Sequence, residues 1–552
     1  MYSDKENINI LTALLLDHGV RHAVVCPGSR NAPITHNLCE AREMTCVSVT
    51  DERSAAFVAL GKAQALGEPV VVCVTSGSAL VNTLPAVVEA WYQHVPIIVV
   101  SADRPAAMIG QLQGQTMPQQ KTLEAFWAKE VSLPEPHDDV ERWYCNRLAN
   151  EALCAMKQYG GGPVHVNVPI SEPLFNFTTA ELPTERRVSL MDNHLWPSEL
   201  TEEFLVSSRP MLVVGQLQCA VARRVSGAIR RLEESVVVLS EQLATCGNTP
   251  CHFDEALIGI GEQEAYKPDY IIYIGDTLVS KRAKHFLQHC HPKSCVVVNA
   301  SGELTDVTMN VTDVVVCPVE DALDSLCEKL ESGDVALGNE ASAFRGRWAM
   351  ALDKWAIRCK VFEPAYSQMM AVRRLCEQAN GQECHMQFAN SSAVRLGQLY
   401  SSHHLYVNRG VNGIEGSLST AVGFASEKDV TVYCVIGDLS FFYDQNALWN
   451  GVGKRHLRMV VLNNGGGGIF HQLRGLEQSP YRDSFVSATH TASAKGVCEA
   501  TGVAYKAASN EEELAEGISW ITRGQATGPL LLEVFTNAEI DAREYKKYLE
   551  TK

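Results

Sequence analysis

The chain has 552 residues, which is too long for one hydrophobic core and enough for about three or four domains. Hydrophobic residues make up 46% and charged residues 20%, an ordinary balance for a globular protein, and no apolar run approaches the ~18 residues of a membrane-spanning helix. The formal net charge of −17 argues against nucleic acid as a partner, because phosphate binding needs a basic surface.

Cysteine usage and the start of the chain both predict a soluble protein of a reducing, cytoplasmic setting. The 18 cysteines form no CxxC pair, and several lie in apolar strand-like runs, such as Cys73 and Cys434. Buried reduced thiols explain them better than disulfides, and no spacing supports a zinc site. Residues 1–6 are polar and charged, unlike a signal peptide.

The first segment, residues 1–180, alternates strand-like and helix-like runs, which is typical of a parallel sheet covered by helices. Its strand-like runs are His22–Cys26, Val70–Thr75 and Pro96–Ser101. Its long helix-like runs are Asp51–Leu66 and Leu80–Tyr92. A polar stretch with several prolines, Phe175–Leu200, predicts a linker after this segment.

Two further segments repeat the scheme. The second, residues 195–335, contains the strand-like runs Met211–Val214, Val236–Leu239, Tyr270–Ile274, Cys295–Val298 and Asp313–Cys317. The third begins near Gly338, occupies residues 345–552 and contains the strand-like runs Leu405–Val407, Val430–Ile436, Arg458–Leu462 and Leu530–Phe535. The sequence therefore predicts an α/β protein of three tandem Rossmann-like domains with parallel sheets.

Two polar motifs follow strand-like runs of the third domain. Residues 437–440 (GDLS) follow one run, and residues 463–468 (NNGGGG) follow the next. The spacing of Asp438 and Asn464 is that of a helical crossover plus a strand, so both can lie at neighbouring strand ends. Their oxygens suit Mg²⁺, and the glycines let the backbone approach a diphosphate. A helix cap or a turn explains either motif alone better. The two motifs together, each directly after a strand, favour a metal and diphosphate site.

A Gly-Asp pair followed at this distance by Asn-Asn resembles the diphosphate-binding motif of thiamine-diphosphate enzymes. In that family the metal ligands are the aspartate, the second asparagine and a backbone carbonyl two residues later. The resemblance therefore implies Asp438, Asn464 and Gly466 as ligands of Mg²⁺ (or Mn²⁺). Leu439 stands where the family commonly has glycine, which removes no ligand.

Glu52 lies in the first turn of the predicted helix Asp51–Leu66, where the helix dipole alone favours a carboxylate. Thiamine diphosphate, however, needs a carboxylic acid against its pyrimidine nitrogen in order to lose its C2 proton. Enzymes of this architecture resemble one another in placing a glutamate at such a helix start, which implies Glu52 as the catalytic residue. The resemblance also implies a homodimer or tetramer with sites at the subunit interface.

A series of motifs along nearly the whole chain makes the resemblance more specific. In chain order they are Cys26–Pro33, Thr50–Ala56, Thr75–Ser78, Ala102–Pro105, Asn408–Gly410 with Gly413 and Ile414, and Asn464–Gly466 with Ile469 and Phe470. Their order resembles that of the 2-succinyl-5-enolpyruvyl-6-hydroxy-3-cyclohexene-1-carboxylate synthases, transferases of menaquinone biosynthesis. That family decarboxylates 2-oxoglutarate and adds the succinyl-semialdehyde carbanion to isochorismate, which implies these two small anions as substrates.

The resemblance implies further site residues. Cofactor contacts fall to Glu52, Thr75, Ser76, Gly77, Ile414, Gly437, Asp438, Leu439, Ser440, Asn464, Gly466, Gly467 and Ile469. Substrate contacts fall to Ser29, Arg30, Arg104, Gln115, Lys281, Ser391, Arg395, Arg409, Ile469, Phe470 and Leu473. Arginines suit two dianionic substrates because they bind carboxylates in a bidentate manner. Gly114 stands where relatives often have asparagine, so a polar contact is missing there.

Two other classes of function stay open on the sequence alone. Another thiamine-dependent decarboxylase or ligase, such as an acetolactate synthase or a benzoylformate-type decarboxylase, acts on less charged partners and needs fewer arginines. A non-catalytic nucleotide-binding protein with Rossmann-like domains would lack Glu52 or the Asp438 and Asn464 pair. An NAD enzyme would need a GxGxxG motif after a strand, which Gly28 and Gly77 do not form.

Overall fold

The computed structural model describes residues 1–122, 124–156, 161–188, 195–247, 250–302, 305–333, 337–473, 475–523 and 527–550. Three sheets organise these residues, and helices alternate with the strands of each sheet. In the described residues, no helix combines the length and the apolar character needed to cross a membrane.

The first sheet lies in the N-terminal part of the chain. Its helices and strands are α1 (Glu6–Asp17), β1 (His22–Val25), α2 (Ala32–Glu40), β2 (Thr45–Ser48), α3 (Glu52–Leu66), β3 (Val70–Val74), α4 (Ser78–Tyr92), β4 (Ile97–Asp103), β5 (Lys129–Ser132), α5 (Asp139–Ala155) and β6 (Val164–Pro169). The strand order is β2-β1-β3-β4-β6-β5, with every pair parallel. Strands β3 and β4 are buried along their whole length, as in parallel sheets covered on both faces.

The second sheet occupies the middle of the chain. Its elements are α6 (Ser198–Val206), β7 (Pro210–Val214), α7 (Cys219–Glu233), β8 (Val237–Ser240), α8 (Phe253–Ile260), β9 (Tyr270–Ile274), α9 (Lys281–Gln288), β10 (Ser294–Asn299), β11 (Asp313–Val316) and α10 (Val319–Ser332). The strand order is β11-β10-β9-β7-β8, again parallel throughout.

The third sheet lies in the C-terminal part. Its elements are α11 (Asn339–Val361), α12 (Gln368–Ala379), β12 (Cys384–Phe388), α13 (Ser392–Tyr400), β13 (Leu405–Tyr406), α14 (Ser417–Ala425), β14 (Thr431–Gly437), α15 (Asp438–Tyr443), β15 (Leu457–Asn463), α16 (Lys495–Thr501), β16 (Ala504–Ala508), α17 (Glu511–Arg523), β17 (Leu530–Phe535) and α18 (Ala538–Leu549). The strand order is β13-β12-β14-β15-β17-β16.

The chain forms two compact units. The first unit comprises Met1–Asp192, Asn408–Val432 and Phe442–Leu457, and the second unit comprises Asn193–Val407, Tyr433–Phe441 and Arg458–Lys552. Two pieces of the third predicted segment thus belong with the first sheet. The predicted boundaries of three domains, at residues 180, 195, 335 and 345, stay a prediction.

Helices α3 and α14 cross within the first unit. A Cβ atom on Gly61 of α3 would lie 2.0 Å from the Thr420 carbonyl oxygen, and one on Gly423 of α14 would lie 2.1 Å from the Val58 carbonyl oxygen. No side chain fits at such distances, so glycines let the two helix backbones touch.

The predicted strands all occur, with ends shifted by at most two residues, but β2, β5, β6, β12 and β16 were not predicted. Strand β6 alternates valines with His165 and Asn167, which are buried and hydrogen-bonded to other polar side chains. The helical crossover expected between β14 and β15 is present but short, because it consists of α15 and a 3₁₀ turn. Asp444 binds the backbone N–H and hydroxyl of Ser419 there and draws the segment onto α14.

Candidate active site

Glu52 is the first residue of α3 and is half-buried. Asp51 caps this helix, since its carboxylate accepts from the backbone N–H groups of Arg53 at 2.9 Å and Ser54 at 3.1 Å. The helix end therefore does not need the Glu52 carboxylate, which accepts a hydrogen bond from Asn82 Nδ2 of α4 at 3.2 Å. This arrangement leaves Glu52 free for a role other than capping.

The loop between β3 and α4 holds three predicted cofactor residues. Thr75 and Ser76 are buried, and Gly77 has a φ of +79°, which favours glycine. The Ser76 hydroxyl donates to the Gln115 carbonyl oxygen at 2.9 Å, and the Gly77 N–H donates to Gln119 Oε1 at 2.7 Å. Gln115 thus contacts this loop through its backbone carbonyl, although Gln115 as a whole is exposed.

Gln119 was missed by the sequence analysis. It is 1% exposed, and its Nε2 donates to Asn167 Oδ1 at 2.7 Å and to Ser101 Oγ at 3.2 Å. Ser101 Oγ also lies 2.7 Å from His165 Nε2. Gln119 therefore ties the Gly77 loop to β4 and β6. The polar residues inside β6 were the one signal in the sequence that pointed to a buried network.

Two predicted substrate residues, Arg30 and Arg104, converge on one carboxylate. Arg30 is buried and donates to the Ile170 carbonyl oxygen at 3.0 Å and to Glu172 Oε1 at 3.1 Å. Arg104 Nη1 lies 3.8 Å from the same Glu172 oxygen. Ser29, beside Arg30, is exposed. A pair of guanidinium groups around one carboxylate can equally bind a carboxylate of a small molecule.

Asp103 precedes Arg104 at the end of β4. Its Oδ1 accepts the Arg104 backbone N–H at 2.8 Å, and its Oδ2 accepts from Asn167 Nδ2 at 3.1 Å. Burial raises the pKa of Asp103, and the hydrogen bonds together with the Arg30 guanidinium oppose this shift. The buried carboxyl thus fixes the backbone from which Arg104 projects.

Glu89 of α4, a second residue missed by the sequence analysis, holds the loop that carries Arg409. Its two carboxylate oxygens accept from the backbone N–H groups of Gly410 at 2.8 Å and Val411 at 2.9 Å. Burial raises the pKa of Glu89, and these bonds oppose the shift. Ile414, in the same loop, is 41% exposed.

Asp438 starts α15 directly after β14, and its neighbours Gly437, Leu439 and Ser440 line the same strand end. Its Oδ2 accepts from the backbone N–H groups of Gly465 at 2.9 Å and Gly466 at 3.0 Å. Burial raises the pKa of Asp438, and the backbone N–H groups oppose this shift. The predicted ligands Asp438 and Gly466 therefore lie in contact.

Asp541 of α18 orients Asn464, the third predicted ligand. Its Oδ2 accepts from Asn464 Nδ2 at 3.1 Å and from the Thr536 hydroxyl at 2.8 Å, and its Oδ1 accepts the Gln368 N–H at 2.8 Å. Burial raises the pKa of Asp541. Because the amide nitrogen is engaged, the opposite end of the amide, Oδ1, is the atom that Asn464 offers to a cation.

The residues at these strand ends fit a Mg²⁺ ion that carries a diphosphate. Carboxylate, amide and carbonyl oxygens are the hard donors that Mg²⁺ takes. Among the described residues, Asp438 forms an ion pair with His490, whose Nε2 lies 3.4 Å from Asp438 Oδ2. A Cβ on Gly466 would lie 2.7 Å from the Ser487 carbonyl oxygen, so glycine keeps the backbone close. Gly467 was predicted to contact the cofactor, but its N–H donates to Ser487 O at 2.6 Å here.

Ser391 and Arg395 lie one turn apart at the start of α13, where Ser391 is the N-cap with a φ of +73°. Arg395 lines a pocket together with Ser280, Asp254 and Tyr545. Lys281 follows Ser280 and is the exposed first residue of α9. The structure thus brings the segment of Lys281 to the pocket that Arg395 lines.

The predicted apolar wall lies in the loop after the glycines. Ile469 and Phe470 are half-buried, and Leu473 is 48% exposed. A Cβ on Gly467 would lie 2.7 Å from the Phe470 ring, so this ring packs directly on the glycine backbone. The wall thus borders the proposed diphosphate site.

Two family descriptions match the chain. "Thiamine pyrophosphate enzyme, N-terminal TPP binding domain" matches residues 8–124, which include Glu52. "Thiamine pyrophosphate enzyme, C-terminal TPP binding domain" matches residues 389–534, which include Asp438 and Asn464. Together they identify a thiamine-diphosphate enzyme.

Curated relatives are similar to the chain from end to end. The 2-succinyl-5-enolpyruvyl-6-hydroxy-3-cyclohexene-1-carboxylate synthase of Bacteroides thetaiotaomicron is 42% identical over 566 residues, which cover 99% of each chain. The protein of the same name from Phocaeicola vulgatus is 41% identical over 570 residues and covers 100% of each chain, and that from Desulfotalea psychrophila is 35% identical over 562 residues, or 97% of this chain and 98% of its own. The chain therefore belongs to the 2-succinyl-5-enolpyruvyl-6-hydroxy-3-cyclohexene-1-carboxylate synthase family of thiamine-diphosphate-dependent transferases.

Proposed function

We propose that this chain decarboxylates 2-oxoglutarate and adds the remaining succinyl-semialdehyde unit to isochorismate, in the biosynthesis of menaquinone. The products are 2-succinyl-5-enolpyruvyl-6-hydroxy-3-cyclohexene-1-carboxylate and carbon dioxide. The observation that carries this proposal is the end-to-end similarity, at 41–42% identity, to synthases that bear this name.

Thiamine diphosphate, when bound, supplies the nucleophilic carbon that makes a 2-oxo acid lose carbon dioxide. Glu52 exchanges a proton with the pyrimidine nitrogen of the cofactor, and the hydrogen bond from Asn82 orients its carboxylate. Asp438, Asn464 and the Gly466 carbonyl hold Mg²⁺ or Mn²⁺ at the diphosphate. The remaining cofactor contacts come from Thr75, Ser76, Gly77, Ile414, Gly437, Leu439, Ser440, Gly467 and Ile469.

Arginines bind the carboxylates of the two substrates. The convergence of Arg30 and Arg104 on the Glu172 carboxylate supports an anion site in the first unit. The remaining substrate contacts come from Ser29, Gln115, Lys281, Ser391, Arg395 and Arg409. Ile469, Phe470 and Leu473 exclude water, which favours decarboxylation because charge is lost as carbon dioxide leaves.

The active form is a homodimer or a tetramer, in which the pyrimidine half of the cofactor contacts one chain and the diphosphate half contacts another. Large apolar side chains on the first unit support an interface there. Ile414 is 41%, Tyr443 49% and Trp449 53% exposed, and packing such apolar side chains against a second chain removes them from water.

Carbon dioxide release tests the proposed substrates. We expect the enzyme with thiamine diphosphate and Mg²⁺ to release carbon dioxide from 2-oxoglutarate, faster when isochorismate is present, and to be slow with pyruvate. A preference for pyruvate would instead favour an acetolactate synthase-like enzyme. Calorimetric binding of NAD in place of thiamine diphosphate would favour a nucleotide-binding protein.

A Glu52→Gln variant tests the catalytic residue. We expect a loss of at least ~100-fold in turnover, the usual contribution of proton transfer by a positioned side chain, with thiamine diphosphate still bound. Glu43→Gln, at an exposed position, is the matched control and should retain full turnover. Full turnover by Glu52→Gln would refute the role of Glu52.

A further inference from the structure

Three side chains that can bind a metal meet in the second unit, and none of them is among the residues proposed for the reaction. Cys219 begins α7, Cys246 follows β8, and His404 directly precedes β13. One ligand atom from each, two Sγ atoms and an imidazole nitrogen, lie within 4.8 Å of one another. Zinc–ligand bonds of about 2.0–2.3 Å bring ligand atoms to a comparable separation around one ion.

The orientation of His404 fits a metal ligand. The side chain is buried, and its Nδ1 lies 3.3 Å from the Thr245 carbonyl oxygen. Because a carbonyl oxygen only accepts, Nδ1 carries the proton and Nε2 keeps the lone pair. Metal-binding histidines typically donate their second N–H to a carbonyl or carboxylate in this way.

The surroundings of Cys219 also fit metal binding. The Tyr406 hydroxyl donates to Cys219 Sγ at 2.7 Å, and the rings of Tyr406 and His404 pack edge to face at 4.9 Å. A sulfur atom that accepts a hydrogen bond is suited to act as a thiolate ligand. Both cysteines are half-buried, so water can reach the ion as a further ligand.

We propose that Cys219, Cys246 and His404 bind one Zn²⁺ ion, with a water molecule in the fourth position. Two thiolates and an imidazole are ligands that zinc commonly takes in proteins. The ion connects His404, which directly precedes the two-residue edge strand β13, to Cys219 and Cys246 beside the second sheet. The chain reaches Arg409 soon after β13. Zinc therefore stabilises the segment that leads into a proposed substrate loop.

No sequence motif indicates this site, because its ligands come from three distant segments and follow none of the short spacings of zinc motifs. A rival group, Glu262, His285 and His289, is exposed on the surface. Any bound zinc must therefore be assigned between the two groups by substitution.

Metal analysis of the full-length protein tests the proposal. The protein is loaded with zinc and the excess is removed. Elemental mass spectrometry should then find about one zinc ion per chain. Cys219→Ser and His404→Gln should lose this zinc, while the double variant His285→Gln/His289→Gln and the exposed-cysteine control Cys39→Ser should keep it. Zinc that persists in Cys219→Ser, or disappears in the His285/His289 variant, overturns the proposal.

Alkylation of the unmutated protein gives a test that does not depend on how variants fold. We expect bound zinc to protect Cys219 and Cys246 from N-ethylmaleimide, and a chelator to expose both, as read from peptide masses. Exposed Cys39 should be labelled in both conditions. Equal labelling with and without zinc, or a Cys219–Cys246 disulfide in the zinc-treated protein, contradicts metal binding at this cluster.

Discussion

Asp541 and Glu89 fall outside every sequence motif, yet each holds a part of the site that a motif provides. Asp541 accepts from the Asn464 amide, and Glu89 accepts from the two backbone N–H groups after Arg409. Replacing either carboxylate leaves buried N–H donors without their charged acceptor. The loss of stability is then larger than the average net contribution of one hydrogen bond.

Asp541→Asn should weaken the binding of Mg²⁺. Without the Asp541 carboxylate, the amide of Asn464 is free to rotate and no longer presents its oxygen, and changes of this kind cost about 10–100-fold in metal affinity. The measurement is the Mg²⁺ dependence of carbon dioxide release at saturating thiamine diphosphate. Asp324→Asn, exposed on α10, is the control, and an unchanged Mg²⁺ affinity in Asp541→Asn would argue against Asn464 as a ligand.

If Arg409 binds substrate as proposed, Glu89→Gln should raise the KM for that substrate by about tenfold, with a smaller change in kcat. Glutamine keeps one carbonyl oxygen but faces the second N–H with its own amide, and hydrogen bonds to charged groups contribute about 1.5–3 kcal/mol. Steady-state kinetics would show the change. Glu68→Gln, at an exposed position, should behave as wild type, and an equally unchanged Glu89→Gln would show that the loop holds without this carboxylate.

Among the elements, the crossing of α3 and α14 depends on glycine rather than on apolar side chains. Gly61 and Gly423 bring the two helix backbones into contact, and α3 carries Glu52 at its start. The position of the helix that carries Glu52 therefore depends on how closely the two backbones approach.

Gly61→Ala should destabilise the protein although alanine is the better helix former. The added methyl group overlaps the Thr420 carbonyl, and overpacking typically costs about 1–3 kcal/mol. Gly227→Ala is the matched control, because a Cβ there meets nothing within 4 Å, and it should stabilise by about 0.5–1 kcal/mol. Thermal unfolding compares the two, and equal Tm values would contradict the close crossing.

Asp444 makes the stability of the α14 region depend on pH. Burial raises the pKa of Asp444 to about 6, with the Ser419 hydrogen bonds and Arg53 opposing the shift and Asp51 adding to it. Between about pH 4 and pH 6 the folded protein keeps a proton that the unfolded chain has lost, so the free energy of unfolding falls as pH rises, by about 3 kcal/mol at most.

Asp444→Asn should remove this slope between pH 4 and pH 6. Urea unfolding at several pH values, compared with wild type and with the exposed control Asp429→Asn, gives the difference. If Asp444→Asn and wild type lose stability in parallel across this window, the carboxyl of Asp444 titrates normally in the folded protein.

For the whole molecule, the proposed sharing of each active site between two chains predicts complementation between inactive variants. Glu52→Gln and Asp438→Asn should each be inactive alone, because each removes one end of every site. Coexpressed, they form mixed dimers in which one of the two sites has both native residues, so about a quarter of wild-type activity should return. Each variant expressed alone is the control, and no recovery would place both ends of the cofactor on a single chain.

The sequence by itself determined much of the architecture, because alternating apolar runs and helix caps are local signals. Most strands of the three sheets, the start of α3 near Glu52 and the places of Asp438 and Asn464 after strands were predicted. Strand β6 was not predicted, since His165 and Asn167 are polar residues whose hydrogen bonds with Ser101 form only in the folded protein.

Only the tertiary structure decided which distant residues support the site. Gln119, Glu89 and Asp541 bind groups far away in the chain, and the pair of Gly61 and Gly423 is defined by two helices that meet in the first unit. Such contacts arise when separate segments pack together. A local sequence pattern indicates the conformation of its own segment. A buried hydrogen bond between distant residues depends on how two segments pack, which neither segment's pattern indicates.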